Sequence, residues 1–239
     1  MRNIALLLTG AILLAGCSTA PPQSASTDDR ARNDGAADLA GGGQAELYLG
    51  IVDGLIRQQR YEAAIAFLAK YQKTGALTPR FRVLAGKALA GAGRYEEAIT
   101  SFRNALKSDL QSSALNGIGE AEASRGNWRA AANDFRQASL DDPANADYLN
   151  NLGFALLKQQ PCDPGSAANA LERAYELAPR SRRIRNNLVL ATARAGQTEK
   201  FKALLNTEPD SRRREKMAKL AAAWTSQASN AYPAKGNMP

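Results

Sequence analysis

Apolar side chains recur along this chain in three closely matched blocks. Tyr61, Tyr95 and Trp128 stand 34 and then 33 residues apart, each followed three residues on by Ala64, Ala98 or Ala131 and seven residues on by Leu68, Phe102 or Phe135. Ala105 and Ala138 add a small residue ten positions after the second and third aromatics. The offsets i, i+3, i+4 and i+7, as in Tyr95, Ala98, Ile99 and Phe102, mark one face of a helix. A period in this range predicts stacked helical hairpins instead of one globular core.

The residues between the blocks fit that reading. Gly93 and Gly126 precede the aromatics and suit a left-handed helix cap. Ala98 is small where two helix backbones approach closely, and Phe102 is expected to fill the space between hairpins. Asp142-Pro143 closes a unit, because the residue before proline is biased out of the helix.

These residues resemble the tetratricopeptide repeat, whose pattern places Leu-Gly, Gly-x-Tyr, Ala, Phe, Ala and Pro at fixed offsets. Five units are counted: Ala45–Thr78, Pro79–Gln111, Ser112–Asn145, Ala146–Arg180 and Ser181–Glu208. Ile118-Gly119 and Leu152-Gly153 sit at the Leu-Gly positions, with Pro143 and Pro179 at the proline. The fourth unit departs in its turn, Gln160-Pro161-Cys162-Asp163-Pro164, and recovers register at Ala167, Leu171 and Ala174. The fifth has Thr198 in place of the aromatic and Phe201 in place of Ala. The resemblance implies an all-α fold, a right-handed superhelix (solenoid) of about five hairpins over 45–209, and a surface for binding other proteins.

The front of the chain carries a different signal. Arg2, an apolar run from Ile4 to Leu14 and Leu14-Ala15-Gly16-Cys17 describe a secretory signal over 1–16. The run is too short for a membrane span, which needs about 20 residues. Leu-Ala-Gly-Cys is similar to the bacterial lipoprotein box, which implies acylation of Cys17. More than one acyl chain there would hold the protein on a membrane stably. Ser18 after the cysteine implies, by the same resemblance, the periplasmic face of the outer membrane. Residues 17–44 are rich in Ser, Ala, Pro, Asp and Gly with almost no large apolar side chain, and read as a flexible tether. Gly41-Gly42-Gly43 has no Gly-Lys-Ser/Thr after it, so it reads as linker and not as a phosphate loop.

Composition narrows the chemistry. The chain has no histidine, which excludes Ser-His-Asp and Cys-His catalysis and imidazole-ligated zinc. Glu96-Glu97 and Asp141-Asp142 read as helix-end residues, not a paired acid and base. No enzyme activity, cofactor or metal is expected. With Cys17 acylated, Cys162 has no internal partner: it is either an unpaired thiol or one half of an intermolecular disulfide.

Charge is concentrated near the C-terminus. Residues 180–219 hold 12 basic and 4 acidic residues, a net +8 equal to that of the whole chain. Arg182, Arg183 and Arg185 open the fifth unit, and Arg212, Arg213 and Arg214 open a last helix. The basic region reads as a contact for anionic lipid or an acidic protein patch, or as a solvated face. Nucleic acid is not expected in an envelope protein, nor is a small-molecule substrate. In the last helix Met217, Leu220, Ala221 and Trp224 form one stripe. That suits a capping helix over 210–229, with docking of Trp224 on a partner or lipid as the alternative. Residues 230–239 read as a disordered tail.

The repeat resemblance implies that the first helix of each unit lines the concave groove. Aligned on Leu-Gly, Asn116, Asn150 and Asn186 share one groove position and Asn151 and Asn187 the next. Such amides either pair with the backbone of an extended peptide or bond neighbouring backbone. Arg80, Lys87 and Glu120 lie at comparable positions. Lipobox, tether, repeats and the two Asn-Asn units together resemble the TadD-type lipoproteins of Flp (Tad) pilus assembly. A pilotin-like partner of a secretin and a regulator presenting a cell-wall hydrolase are the alternatives.

Overall fold

The computed structural model describes residues 43–73 and 75–231, with side chains through 225. Cys17, the signal segment and nearly all of the tether lie outside these residues, as does the tail beyond 231. Helix α1 spans 43–57, so Gly43 and Gln44 are helical and not part of a linker. It is followed by α2 (Tyr61–Tyr71), α3 (Pro79–Gly91), α4 (Tyr95–Arg103), α5 (Gln111–Ser124) and α6 (Trp128–Asp141). Then come α7 (Ala146–Lys158), α8 (Pro164–Leu177), α9 (Arg182–Arg194), α10 (Thr198–Asn206) and α11 (Ser211–Ala231). Among the described residues there is no strand, and no helix is long and apolar enough to cross a membrane.

The helices form five antiparallel hairpins in chain order, closed by α11. Each second helix packs on the first helix of the next unit, and first helices also touch one another, as α3 does α5 and α7 does α9. No pair of second helices makes comparable contact. First helices therefore crowd the inner side of the superhelix and second helices splay on the outer side.

Side-chain size at three positions sets this spacing. Phe102 on α4 is 1% exposed and lies against Gly86 of its own hairpin and Gly117 of the next. A Cβ on either glycine would come within 2.7 Å and 2.4 Å of its ring, respectively. Phe135 meets Gly119 in the same way, at 2.7 Å. In the fourth unit Leu171 takes the aromatic's place against Gly153, at 2.5 Å. The glycine of each Leu-Gly pair is thus the seat of the large side chain on the paired helix. Ala64, Ala98, Ala131 and Ala167 are each 0% exposed, which leaves no room for a larger residue.

The turn aromatics have a second task. Tyr61 lies on Gly91 at the end of α3, the following first helix, and Trp128 lies under Lys158 at the end of α7, 5.4 Å from its Nζ. The turns before α4, α6 and α10 take a left-handed residue: Gly93, Gly126 and Gly196 have φ of 79°, 83° and 71°. In the first unit that position is Gln59, φ 58°. A side chain there costs about 1–2 kcal/mol, while glycine raises unfolded-state entropy by about 0.4–1 kcal/mol. Gln59→Gly is therefore expected to stabilise the chain by about 0.5–1 kcal/mol in urea unfolding.

The irregular fourth turn is held by Asp163, whose carboxylate accepts from Ser166 N at 3.0 Å and starts α8 at Pro164. Cys162 is a free thiol, half-buried in this turn. On the outer helices, burial pushes the Asp134 carboxyl up to about 6, with the Glu122 charge adding and Arg103 opposing. The folded chain keeps this proton at pH values where the unfolded chain has lost it. Stability therefore falls as pH rises from 3.8 to about 6, and the cost is fully present above that. Asp134→Asn should melt above wild type at pH 7.5, and its advantage should vanish near pH 4 when followed by circular dichroism.

The end cap differs in detail from the apolar stripe. Ala221 is 1% exposed and Trp224 packs on the core, but Leu220 is 48% exposed. The reason is that α11 lies mainly along α9, with less contact to α10 than a further first helix would make. A narrower stripe is covered in that arrangement.

Candidate protein-binding groove

The inner face is built from one helical stripe per unit, at i, i+4, i+7 and i+11 of each first helix. In α7 these are Asp147, Asn151, Phe154 and Lys158, and in α9 Arg183, Asn187, Leu190 and Arg194. Cross-helix bonds confirm the alignment. Arg183 Nη2 reaches Asp147 Oδ1 at 2.5 Å, and Arg80 of α3 pairs with Glu46 of α1. These exposed pairs contribute at most about 1 kcal/mol each. Lys87 and Glu120 point into the same groove positions and are exposed.

The five asparagines do not form an open column. Asn187 Nδ2 donates to Asn150 Oδ1 at 2.9 Å, Asn150 Nδ2 to Asn151 Oδ1 at 3.2 Å, and Asn151 Nδ2 to Asn116 Oδ1 at 3.0 Å. Asn116 Nδ2 then donates to Glu120 Oε1 at 2.8 Å. Four amides and a carboxylate form one continuous chain across α9, α7 and α5. Asn150 is 2% exposed, and its amide bridges neighbouring units by accepting from Asn187. Asn186 occupies the same register but has no further repeat beside it. It is exposed and lines a cleft of about 370 Å³ with Met217 and Leu220 of α11. Asn150→Ala is thus expected to destabilise by about 1–3 kcal/mol, the cost of unpaired buried amides, while Asn186→Ala stays within about 0.5 kcal/mol. Thermal melts compare the two directly.

The basic residues are also separated. Arg183 faces the groove, Arg182 lines the α9–α11 cleft, and Arg185 makes an ion pair with Glu208, which is 3% exposed. Arg185 is spent in the interior, so it adds no charge to a surface patch. Arg212 and Arg213 are exposed on α11, where Arg213 lies 3.5 Å from Asp210, and Arg214 is half-buried. The six arginines therefore do not form one continuous face. Sequence reasoning had no signal for the Arg185–Glu208 pair, since its partners lie 23 residues apart and on no shared helix.

At the C-terminal end the groove holds an aromatic cluster that sequence reading did not assemble. Trp128 meets Phe154 edge-on at 5.9 Å between ring centroids, and Phe154 meets Trp224 of α11 at 6.4 Å. Lys158 Nζ lies 5.4 Å from the Trp128 ring and 5.5 Å from the Trp224 ring, and the Arg194 guanidinium lies 6.0 Å from Trp224. The equal spacing of Trp128 and Tyr61 to the next first helix was the available clue.

A further cleft, about 510 Å³, opens on the outer side, between α2, α3 and α4. Its floor is the inter-repeat core, including Leu68 and Phe81, and Glu97 on its rim is bonded to Arg94. Among the described residues no group of His, Cys, Asp and Glu is arranged to hold a metal ion.

Comparison with known proteins fits this geometry. Tetratricopeptide repeat profiles match residues 83–128 and TPR repeat profiles residues 119–160. No curated protein matches in sequence. The Pseudomonas aeruginosa PilF structure superposes with TM-score 0.63 at 17% identity, covering 82% of this chain and 95% of that one. YrrB, described as a TPR protein with an unusual peptide-binding site, gives 0.56 at 18% identity over 72% of this chain and 90% of its own. MamA from Desulfovibrio magneticus RS-1 gives 0.54 at 18% identity over 80% and 97%. At these identities the likeness is one of fold. Tetratricopeptide domains bind protein partners. With repeat matches across 83–160 and the same hairpin stacking from α1 to α10, this chain carries tetratricopeptide repeats and has the fold of a tetratricopeptide solenoid.

Proposed function

We propose that this chain is a non-enzymatic, lipid-anchored scaffold whose groove captures protein segments in a Gram-negative envelope machine, with Flp/Tad pilus assembly the favoured setting. The observation that carries the scaffold reading is the groove itself: five first helices side by side, with exposed Lys87, Glu120 and Arg183 along it and an aromatic cluster at one end. The absence of histidine from the chain supports a binding role over acid–base or nucleophilic catalysis. The envelope setting rests on Leu14-Ala15-Gly16-Cys17 and Ser18. The pilus setting rests on the resemblance to TadD-type lipoproteins.

The test is chemical crosslinking in membranes followed by pull-down, comparing wild type with Cys17→Ala. Recovery of a secretin with pilus components, lost in Cys17→Ala, supports the proposal. A secretin alone points to a pilotin-like role, and cell-wall hydrolases alone point to a regulator. Equal capture by both chains removes the anchor from the account.

A further inference from the structure

Trp224 packs on the core and also does more than close the end of the solenoid. Ala221 already seals the core beside α9. Trp224 reaches further, to Phe154 and Lys158 of α7, which belong to the inner stripe of the preceding unit. At the corresponding positions of α3 and α5 stand Lys87, Gly91, Glu120 and Ser124, and among the described residues α11 packs on α9 and α10 and not on these helices. One end of the groove is thus occupied by the chain's own C-terminal helix.

The occupant satisfies only half of what the slot offers. Lys158 and Arg194 bring two positive charges to the Trp224 ring, and neither makes an ion pair among the described residues. Arg194 Nε is buried with no hydrogen-bond partner. Helix α11 brings a single carboxylate, Glu215, about two and a half turns before Trp224, and that is paired with Lys219 at 2.7 Å. Its other charged side chains are Arg212, Arg213, Arg214, Lys216 and Lys219, of the same sign as the slot. Cation–π contact is a weak attraction at such a partly exposed site, and a carboxylate beside the aromatic would add charge-assisted hydrogen bonds that α11 cannot make.

We infer that the slot of Trp128, Phe154, Lys158 and Arg194 is the docking site for an acidic, aromatic-bearing helical segment of a partner protein, and that α11 keeps it closed with Trp224 until that segment displaces it. This rests on the reading of the groove as the partner surface. The basic outer face of α11 draws an acidic segment toward the slot, and the unpaired cations give that segment its advantage over α11. Selection between the two is therefore a matter of charge, with the aromatic contact common to both.

Three fluorescent peptides test it: a copy of residues 211–229, one with Leu220→Glu and Ala228→Glu, and one with Leu220→Lys and Ala228→Lys. Both substituted positions share the helix face of Trp224. Anisotropy titrations use the full chain as wild type, Trp224→Ala, and Lys158→Glu with Arg194→Glu. The glutamate peptide is expected to bind Trp224→Ala about tenfold tighter than wild type and about tenfold tighter than the lysine peptide does. In the charge-reversed chain, which keeps Trp224 and the cap, the peptide preference is expected to invert. Equal binding of the glutamate and lysine peptides, no gain in Trp224→Ala, or no binding to any chain overturns the inference. If membrane crosslinking still captures partners through the groove in that case, the scaffold reading stands and only the slot is lost. If crosslinking also captures nothing, the scaffold reading itself has failed.

Discussion

Phe102→Ala is expected to cost about 3–5 kcal/mol and to split the unfolding of this solenoid in two. The ring lies between Gly86 of the second unit and Gly117 of the third, so its loss opens a cavity in the joint between them. In a linear array each unit is stabilised mainly by its neighbours, and a broken joint uncouples the two sides. Both tryptophans of the chain, Trp128 and Trp224, lie on the C-terminal side of that joint. In wild type, urea curves followed by tryptophan fluorescence and by far-ultraviolet circular dichroism should coincide. In Phe102→Ala the dichroism should fall first, as α1 to α4 melt, with the fluorescence transition following at higher urea. Coincident curves with a small shift would show that Gly86 and Gly117 close onto the gap.

Glu208→Ala is the second large effect, at about 3–5 kcal/mol, because it leaves the Arg185 charge enclosed without its partner. Glu208 is 3% exposed and its other oxygen accepts from Asp210 N at 3.2 Å, so it also holds Asp210, whose carboxylate accepts from Arg212 N and Arg213 N and starts α11. The double change Arg185→Leu with Glu208→Leu should recover most of the loss, since an apolar pair of similar size removes both charges from the interior. If the double variant is as unstable as the single, the bond to Asp210 N carries the effect and the ion pair does not. Chemical denaturation of the three chains distinguishes these cases.

The repeat register was legible in the sequence because each element of it is a local size rule. Tyr95, Ala98, Phe102 and Gly93 read as cap, contact and filler, and the structure places them so. The same rule predicts Leu171 on Gly153 despite the irregular turn before it. Relations between units were harder to read. Asn116, Asn150 and Asn186 align by count, but the direction in which an amide bonds depends on what the next unit places opposite it. Asn150 meets Asn187 and is consumed, whereas Asn186 meets α11 and is left at a cleft. Arg185 could not be separated from its basic neighbours, since a helix presents successive residues to different surroundings and the carboxylate that neutralises it comes from a loop. Trp224 was legible as part of an apolar stripe. Its reach to α7 follows from the angle at which α11 crosses α9, which no local pattern encodes.

Partners are proposed to bind on the inner face of the superhelix. Site-specific photocrosslinking tests this most directly, with a benzophenone amino acid placed at Lys87 or Glu120 on the inner face, or at Leu140 on a second helix, where the side chain is 66% exposed. The inner positions are expected to capture the same discrete envelope proteins, and Leu140 is not. Equal capture from Leu140, or capture from Leu140 alone, would contradict it and move the interaction to the outer helices.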